Sequence, residues 1–136
     1  MKAAVVGMGL FGNALALDLA RAGVEVIAID CEIDKLDGVR DEVALAVALD
    51  ATDEKALRSQ GVHSADVLIA CIGNDFEANQ LLVVLAKKLG IAKVIARAPS
   101  PNHARILTLL GADEVVLPEI EVAERMARRL LDSRRE

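Results

Sequence analysis

The chain has 136 residues, 54% hydrophobic but only 1% aromatic, a size that suits one domain cored by Ala, Val, Leu and Ile. A net charge of −5 and the absence of Trp and Tyr disfavour general nucleic-acid binding, because an acidic surface repels phosphate backbones and bases lack stacking platforms. No apolar stretch approaches the ~18 residues of a bilayer span, and Cys31 and Cys71 match no metal-ligand spacing, so direct membrane insertion and a thiolate metal centre are not expected.

Lys2 to Val6 reads as a short buried strand, with no secretory leader before it. Leu10, Ala14, Leu17 and Ala20 or Arg21 recur at helical spacing, and Gly23 closes that helix. Val24 to Ile29 is a second strand. A charged, irregular helix is expected from about Glu32 to Asp41, interrupted by Gly38. Val43 to Leu49 is a third strand, and Asp53 to Gln60 a short helix ending at Gly61. Val67 to Ile72 forms the fourth strand, followed by a long helix from Asp75 to Leu89. Lys93 to Ala98, a helix from Asn102 to Leu110, Glu114 to Leu117 and a final helix from Glu119 to Leu131 complete the series. Such alternation predicts an α/β fold, a Rossmann-like, doubly wound parallel sheet of six strands in the order 3-2-1-4-5-6, with helices on both faces. Ligands of such sheets bind at the carboxyl ends of strands one and four. Residues 1–136 are expected to form a single domain.

Gly7-Met8-Gly9-Leu10-Phe11-Gly12 joins the first strand to the first helix. The first glycine permits the tight turn, the second lets a pyrophosphate approach the backbone, and the third lets helix and strand pack closely. The helix start adds free N–H groups and partial positive charge. Asp30 ends the second strand about 20 residues later, where a carboxylate accepts ribose hydroxyls and repels a 2′-phosphate; a cap for the segment at Glu32 is the lesser reading, and the two roles can coexist. Cys31 follows it, and no arginine does.

Asp50-Ala51-Thr52 lies where the fold places the adenine pocket, although Thr52 also reads as a helix cap. Ile72, Gly73 and Asn74 end the fourth strand as either ligand contacts or turn residues, and Asp75 is a helix cap. Arg97 ends the fifth strand and suits either a phosphate or a surface ion pair. His63 and His103 read as surface or packing residues. The arginines 125, 128, 129, 134 and 135 complement the dipole of the last helix. No Walker lysine, nucleophile elbow or paired metal-ligand histidines are present, and no substrate domain is visible.

Taken together, Val5-Val6-Gly7-Met8-Gly9-Leu10-Phe11-Gly12, Ile29-Asp30, Asp50-Ala51-Thr52, Ala70-Cys71-Ile72-Gly73-Asn74, Leu110-Gly111-Ala112-Asp113 and Leu117-Pro118-Glu119 resemble the RCK/KTN (TrkA-N) domains. These are cytoplasmic regulatory subunits and gating domains of potassium channels and Trk/Ktr transporters. The resemblance implies a regulatory role without catalysis, NAD(H) or an adenine nucleotide as ligand, a homodimer assembled into a ring, and a membrane potassium transporter or channel as partner. It implies that Gly7, Gly9 and Gly12 hold phosphates, Asp30 the ribose and Asp50 and Thr52 the base. Gly73 and Asn74 would lie beside the ligand, Arg97 near phosphates, and Glu119 would help hold a cation, as in some members.

In two places the chain departs from the family pattern. Leu10 stands where many ATP-responsive members carry arginine, which favours ADP, AMP or NAD(H) over ATP. No C-terminal ligand domain is present, so the chain is expected to be a stand-alone domain or part of a longer protein. An NAD-dependent oxidoreductase fragment and a nucleotide-binding module with a soluble partner are the alternatives.

Overall fold

A computed structural model describes residues 1–134. Six strands, β1 (Lys2–Val6), β2 (Glu25–Asp30), β3 (Leu45–Ala48), β4 (Val67–Ala70), β5 (Lys93–Arg97) and β6 (Glu114–Val116), form one sheet in the order β3-β2-β1-β4-β5-β6. Every pairing is parallel. The expected topology is therefore observed. Five α-helices accompany it: α1 (Leu10–Arg21), α2 (Glu54–Ser59), α3 (Phe76–Lys88), α4 (Pro101–Leu109) and α5 (Pro118–Arg134).

Strand alternation sends successive side chains to two separate cores. Ala3, Val5, Val26, Ala28, Val67 and Ile69 pack with Ala16 of α1 and with Leu36 and Val39. Ala4, Val6, Ile27, Ile29, Leu68, Ala70, Val94 and Ala96 pack on the other face with Leu57, Leu82, Val83, Ala86 and Leu107 from α2, α3 and α4. The chain changes face after β3, because right-handed crossovers working outward in opposite directions from β1 and β4 must lie on opposite sides. That reversal opens the crevice at the carboxyl ends of β1 and β4.

Three local expectations are corrected. Residues 32–41 do not form a helix; a single 3-10 turn spans Ile33–Leu36. Only Leu36 and Val39 of that segment are buried, so no apolar face repays a longer helix. β3 is shorter than the predicted 43–49, and as an edge strand it is half exposed. The last helix extends beyond the predicted Leu131 to Arg134, and none of its residues is buried. Arg135, grouped above with the other basic residues of that helix, lies outside the described residues.

Candidate functional site

A cleft of about 580 Å³ opens at the carboxyl ends of the central strands. Its walls include every binding residue expected from sequence: Gly7, Met8, Gly9, Leu10, Phe11 and Gly12; Asp30 and Cys31; Asp50, Ala51 and Thr52; Ile72, Gly73 and Asn74; Arg97; and Glu119. Six chain segments, separated by up to 112 positions, are brought to one place by the strand order.

The glycine loop is built for close approach. Gly7 has φ +102°, and a Cβ there would lie 2.5 Å from the Cys71 carbonyl oxygen. At Gly12 a Cβ would lie only 1.8 Å from the Gly7 carbonyl oxygen. Gly9 differs, because nothing lies within 4 Å of a Cβ built on it. Gly9 is also the N-cap of α1 and supplies no side-chain hydrogen bond, whereas Asp53, Asp75 and Ser100 cap α2, α3 and α4. The first amides of α1 thus face the cleft with the positive end of the helix dipole behind them.

Asp30 is 8% exposed. Its Oδ2 accepts the Met8 N–H at 2.8 Å and its Oδ1 accepts the Glu32 N–H at 2.9 Å. The carboxylate thereby ties the glycine loop to the turn after β2 and retains lone pairs toward the cleft. It does not cap the following turn, whose N-cap is Glu32. Met8 contributes its backbone, since its side chain is buried in the α1-side core, where Phe11 also packs. Leu10, by contrast, is 95% exposed at the mouth of the cleft.

At the next segment the cap assignment shifts by one residue. Asp53, not Thr52, caps α2, accepting from the Lys55 and Ala56 N–H groups. Thr52 donates its hydroxyl to Asp50 Oδ1 at 2.6 Å, and its N–H donates to the same oxygen at 2.9 Å. These bonds hold the Asp50 carboxyl below its ordinary pKa. Ala51 is buried beneath them.

On the far side, Asp75 caps α3 as expected, leaving Gly73 and Asn74 exposed between β4 and the helix. Arg97 reaches back over Gly73: its Nη1 lies 3.5 Å from a Cβ built there. Arg97 Nη2 donates to Glu119 Oε1 at 2.6 Å, while Arg97 Nε is buried without a partner. Glu119 sits below its ordinary pKa, first through its own backbone amide and then through Arg97. Of the two readings of Arg97, the ion pair is the one observed, on the rim of the cleft. Glu119 is committed to that pair, and among the described residues no group of three or more His, Cys, Asp or Glu is placed to hold a metal.

Burial pushes the Cys71 thiol up to about 12, which removes it as a nucleophile; Cys31 is exposed. His103 is a packing residue, edge-on to Phe76 with centroids 4.1 Å apart, and the capping Ser100 hydroxyl lies 2.6 Å from its Nδ1. His63 is the middle residue of a 3-10 turn on the surface and is not part of the cleft lining.

Three residues were not anticipated. Lys35 lines the cleft from the turn after β2. Asn79, fully buried on α3, bonds to the backbone of the β4 and β5 ends. A sequence signal for it exists: 79, 82, 83 and 86 share one helical face, and the other three are apolar. Asp113 is the third. Its carboxylate accepts from the Val94 N–H at 2.7 Å and from Lys87 Nζ, and its own N–H donates to the Val94 carbonyl. The Gly-Ala-Asp stretch is therefore a structural corner anchoring β5, away from the cleft.

Comparison with known proteins agrees with this geometry. Over 130 residues, covering 96% of this chain and 59% of that protein, the chain is 34% identical to Ktr system potassium uptake protein C of Bacillus subtilis (strain 168). It therefore spans about three-fifths of the length of that relative. The TrkA-N domain of inner membrane protein ybaL from Escherichia coli superimposes with a TM-score of 0.84 at 28% identity, covering 95% of this chain and 96% of that one. The NAD(P)-binding domain of an exopolyphosphatase-related protein from Archaeoglobus fulgidus gives 0.81 at 27% identity, covering 96% and 97%. The TrkA-N domain model matches residues 3–118, which include the glycine loop, Asp30, the Asp50–Thr52 segment and Arg97, and the chain belongs to the TrkA-N domain family.

Proposed function

We propose that this chain is the nucleotide-binding regulatory domain of a potassium-uptake system, and that it binds NAD(H), ADP or AMP in the cleft without transforming them. One observation carries the reading. The uncapped start of α1, the open space at Gly9, the Asp30 carboxylate and the Arg97 side chain all line one cleft. Those groups suit a ligand with a ribose on the β2 side, phosphates over the glycine loop and further negative charge toward the Arg97 guanidinium on the cleft wall. Asp30 disfavours a 2′-phosphate by like-charge repulsion. With Leu10 in the loop, nothing there neutralises a terminal phosphate, so ADP, AMP and NAD(H) fit better than ATP.

The absence of catalysis rests on the state of the nucleophile and acid–base candidates at the cleft. Cys71 is a buried thiol held protonated, and the Asp50 and Glu119 carboxylates are held ionised by local partners. The relative described as a potassium uptake protein supports a membrane transporter as partner. No helix among the described residues is long and apolar enough to cross a membrane, so contact with a membrane would run through that partner, at its cytoplasmic face. Helix α5 supports a homodimer, the unit of a possible ring. Ile120, Ala123, Met126, Ala127 and Leu130 line one side of a helix that buries nothing. A cation at Glu119 would first have to draw its carboxylate from Arg97.

Mass spectrometry of nucleotide copurifying with the protein, followed by calorimetric titration with NAD+, NADH, ADP, AMP, ATP and NADP+, tests the reading. NAD(H), ADP or AMP should bind, and NADP+ should bind at least tenfold more weakly than NAD+. Absence of binding to all six would overturn it. For the regulatory part, co-expression with a Ktr membrane subunit in a potassium-uptake-deficient bacterium should restore growth at low potassium with the intact glycine loop and not with Gly9→Ala.

A further inference from the structure

We infer that Asn79 is a positioning residue that sets the Arg97 half of the cleft independently of the ribose half. Pairing between β4 and β5 stops at Ala70 and Ala96, after which the chain at Ile72 turns toward α3 while Arg97 pairs only with β6. Where two neighbouring strands part, their backbone groups lose their ladder partners and must find others or remain buried and unpaired. The Asn79 carboxamide fills that gap. Its Oδ1 accepts the Ile72 N–H at 3.0 Å, and its two Nδ2 hydrogens serve the carbonyls of Ala70 at 3.3 Å and Arg97 at 3.4 Å. The side chain has no exposed surface.

Only an amide of this length suits the place. A carboxylate would face two carbonyl oxygens with no hydrogen to give. A hydroxyl has one hydrogen to give and would leave at least one of the two carbonyls without a partner. An apolar side chain would leave one N–H and two carbonyls without a partner. The consequence lies on the rim of the cleft. Ile72 leads directly into Gly73 and Asn74, and Arg97 carries the guanidinium whose Nη1 overlies Gly73. Asn79 thus joins the two backbone points from which the distal wall is built. The opposite wall hangs on different bonds, Asp30 to Met8 and Glu32, and Thr52 to Asp50. None of these involves α3.

The inference rests on the nucleotide-binding reading above, and its test keeps the two apart. Asn79→Ser and Asn79→Ala would each be titrated with AMP and with NAD+. NAD+ affinity should fall about tenfold, the scale of one or two lost or misplaced hydrogen bonds, while AMP affinity stays within about twofold. The serine variant should recover part of the loss. A parallel fall for both ligands, or no fall for either, overturns the inference. Backbone amide chemical shifts of the ligand-free chain provide a readout that needs neither ligand nor binding. In Asn79→Ser, shifts should change at residues 71–75 and 96–98 and remain in place at residues 8–12, 30–32 and 50–53. Shifts spread evenly across both walls, or absent from 71–75, overturn the inference even if the wild-type chain binds no nucleotide; that last result would sink the nucleotide reading alone. If Asn79→Ala does not fold, the serine variant and its shifts decide.

Discussion

Replacing Gly9 and Gly12 by alanine, one at a time, separates the two jobs of the glycine loop. A Cβ at Gly12 would stand 1.8 Å from the Gly7 carbonyl oxygen, and real Cβ atoms essentially never come closer than 3.0 Å. The start of α1 must therefore retreat by at least 1.2 Å from a loop that is itself wedged against Cys71. The obstacle is backbone, which cannot rotate aside as a side chain would. Overpacking of this kind costs about 1–3 kcal/mol or more. For a chain of this size that corresponds to a Tm drop of roughly 5–10 °C. At Gly9 the methyl meets nothing, and φ is −73°, a value that alanine adopts freely. Gly9→Ala should therefore leave stability unchanged or raise it by about 0.4–1 kcal/mol through the unfolded chain. The same methyl stands where a phosphate must approach the first amides of α1, so AMP and NAD+ affinity should fall at least about tenfold. Thermal unfolding with parallel calorimetric titration reads both effects. Wild-type affinity in Gly9→Ala would show that no phosphate approaches there, and a wild-type Tm in Gly12→Ala would refute the close helix–strand contact.

Asp113 provides a pH test. Its carboxyl lies below its ordinary pKa, mainly through the Val94 N–H and then through Lys87. A depressed folded-state pKa gives stability that is present above the unfolded value, near ~3.9, and is lost as pH falls through the folded value. Asp113→Asn should therefore lower Tm at pH 7 and flatten the fall in Tm below about pH 4; equal acid slopes would count against it. Glu119→Gln removes the charge that competes with a ligand for Arg97, so ADP should bind about two- to fivefold tighter, whereas unchanged affinity would place Arg97 outside the ligand's reach. A thiol-reactive alkylating reagent should modify Cys31 and leave Cys71 intact in the native chain, and saturating NAD+ should slow the reaction at Cys31. Equal labelling of both thiols, read by mass spectrometry, would contradict the buried, protonated state of Cys71.

Much of the cleft lining was legible because it is local. A glycine loop between an apolar strand and a helix specifies its own geometry within about a dozen residues, and an acidic residue at the next strand end is set by the same unit. Five apolar runs bounded by glycine or polar residues became strands near their predicted limits, and the strand order followed from crossover rules rather than from any single residue. Asp50, Gly73 and Arg97 were placed at strand ends by the same periodicity. Local reading ran out where neighbours compete or where burial decides. Thr52 and Asp53 are both cap formers, and only the backbone at Asp53, φ −100° and ψ 106°, selects between them. Residues 32–41 carry helical spacing in Leu36 and Val39, but an edge location offered no further apolar surface, and the segment closed as one turn.

What the sequence by itself determined is the doubly wound sheet, the glycine loop at its centre and the acidic partner of that loop. These follow from periodicity, from conformations that only glycine supplies cheaply, and from the spacing of an acidic residue at the next strand end. Only the tertiary structure decided that Arg97 pairs with Glu119, that Asp113 anchors β5, and that Asn79 holds the parting ends of β4 and β5. Each depends on residues between 7 and 22 positions apart meeting across strand ends. A hydrogen bond of that kind leaves no periodic trace in the chain, because its partner is fixed by the packing of the sheet and not by the residues beside it.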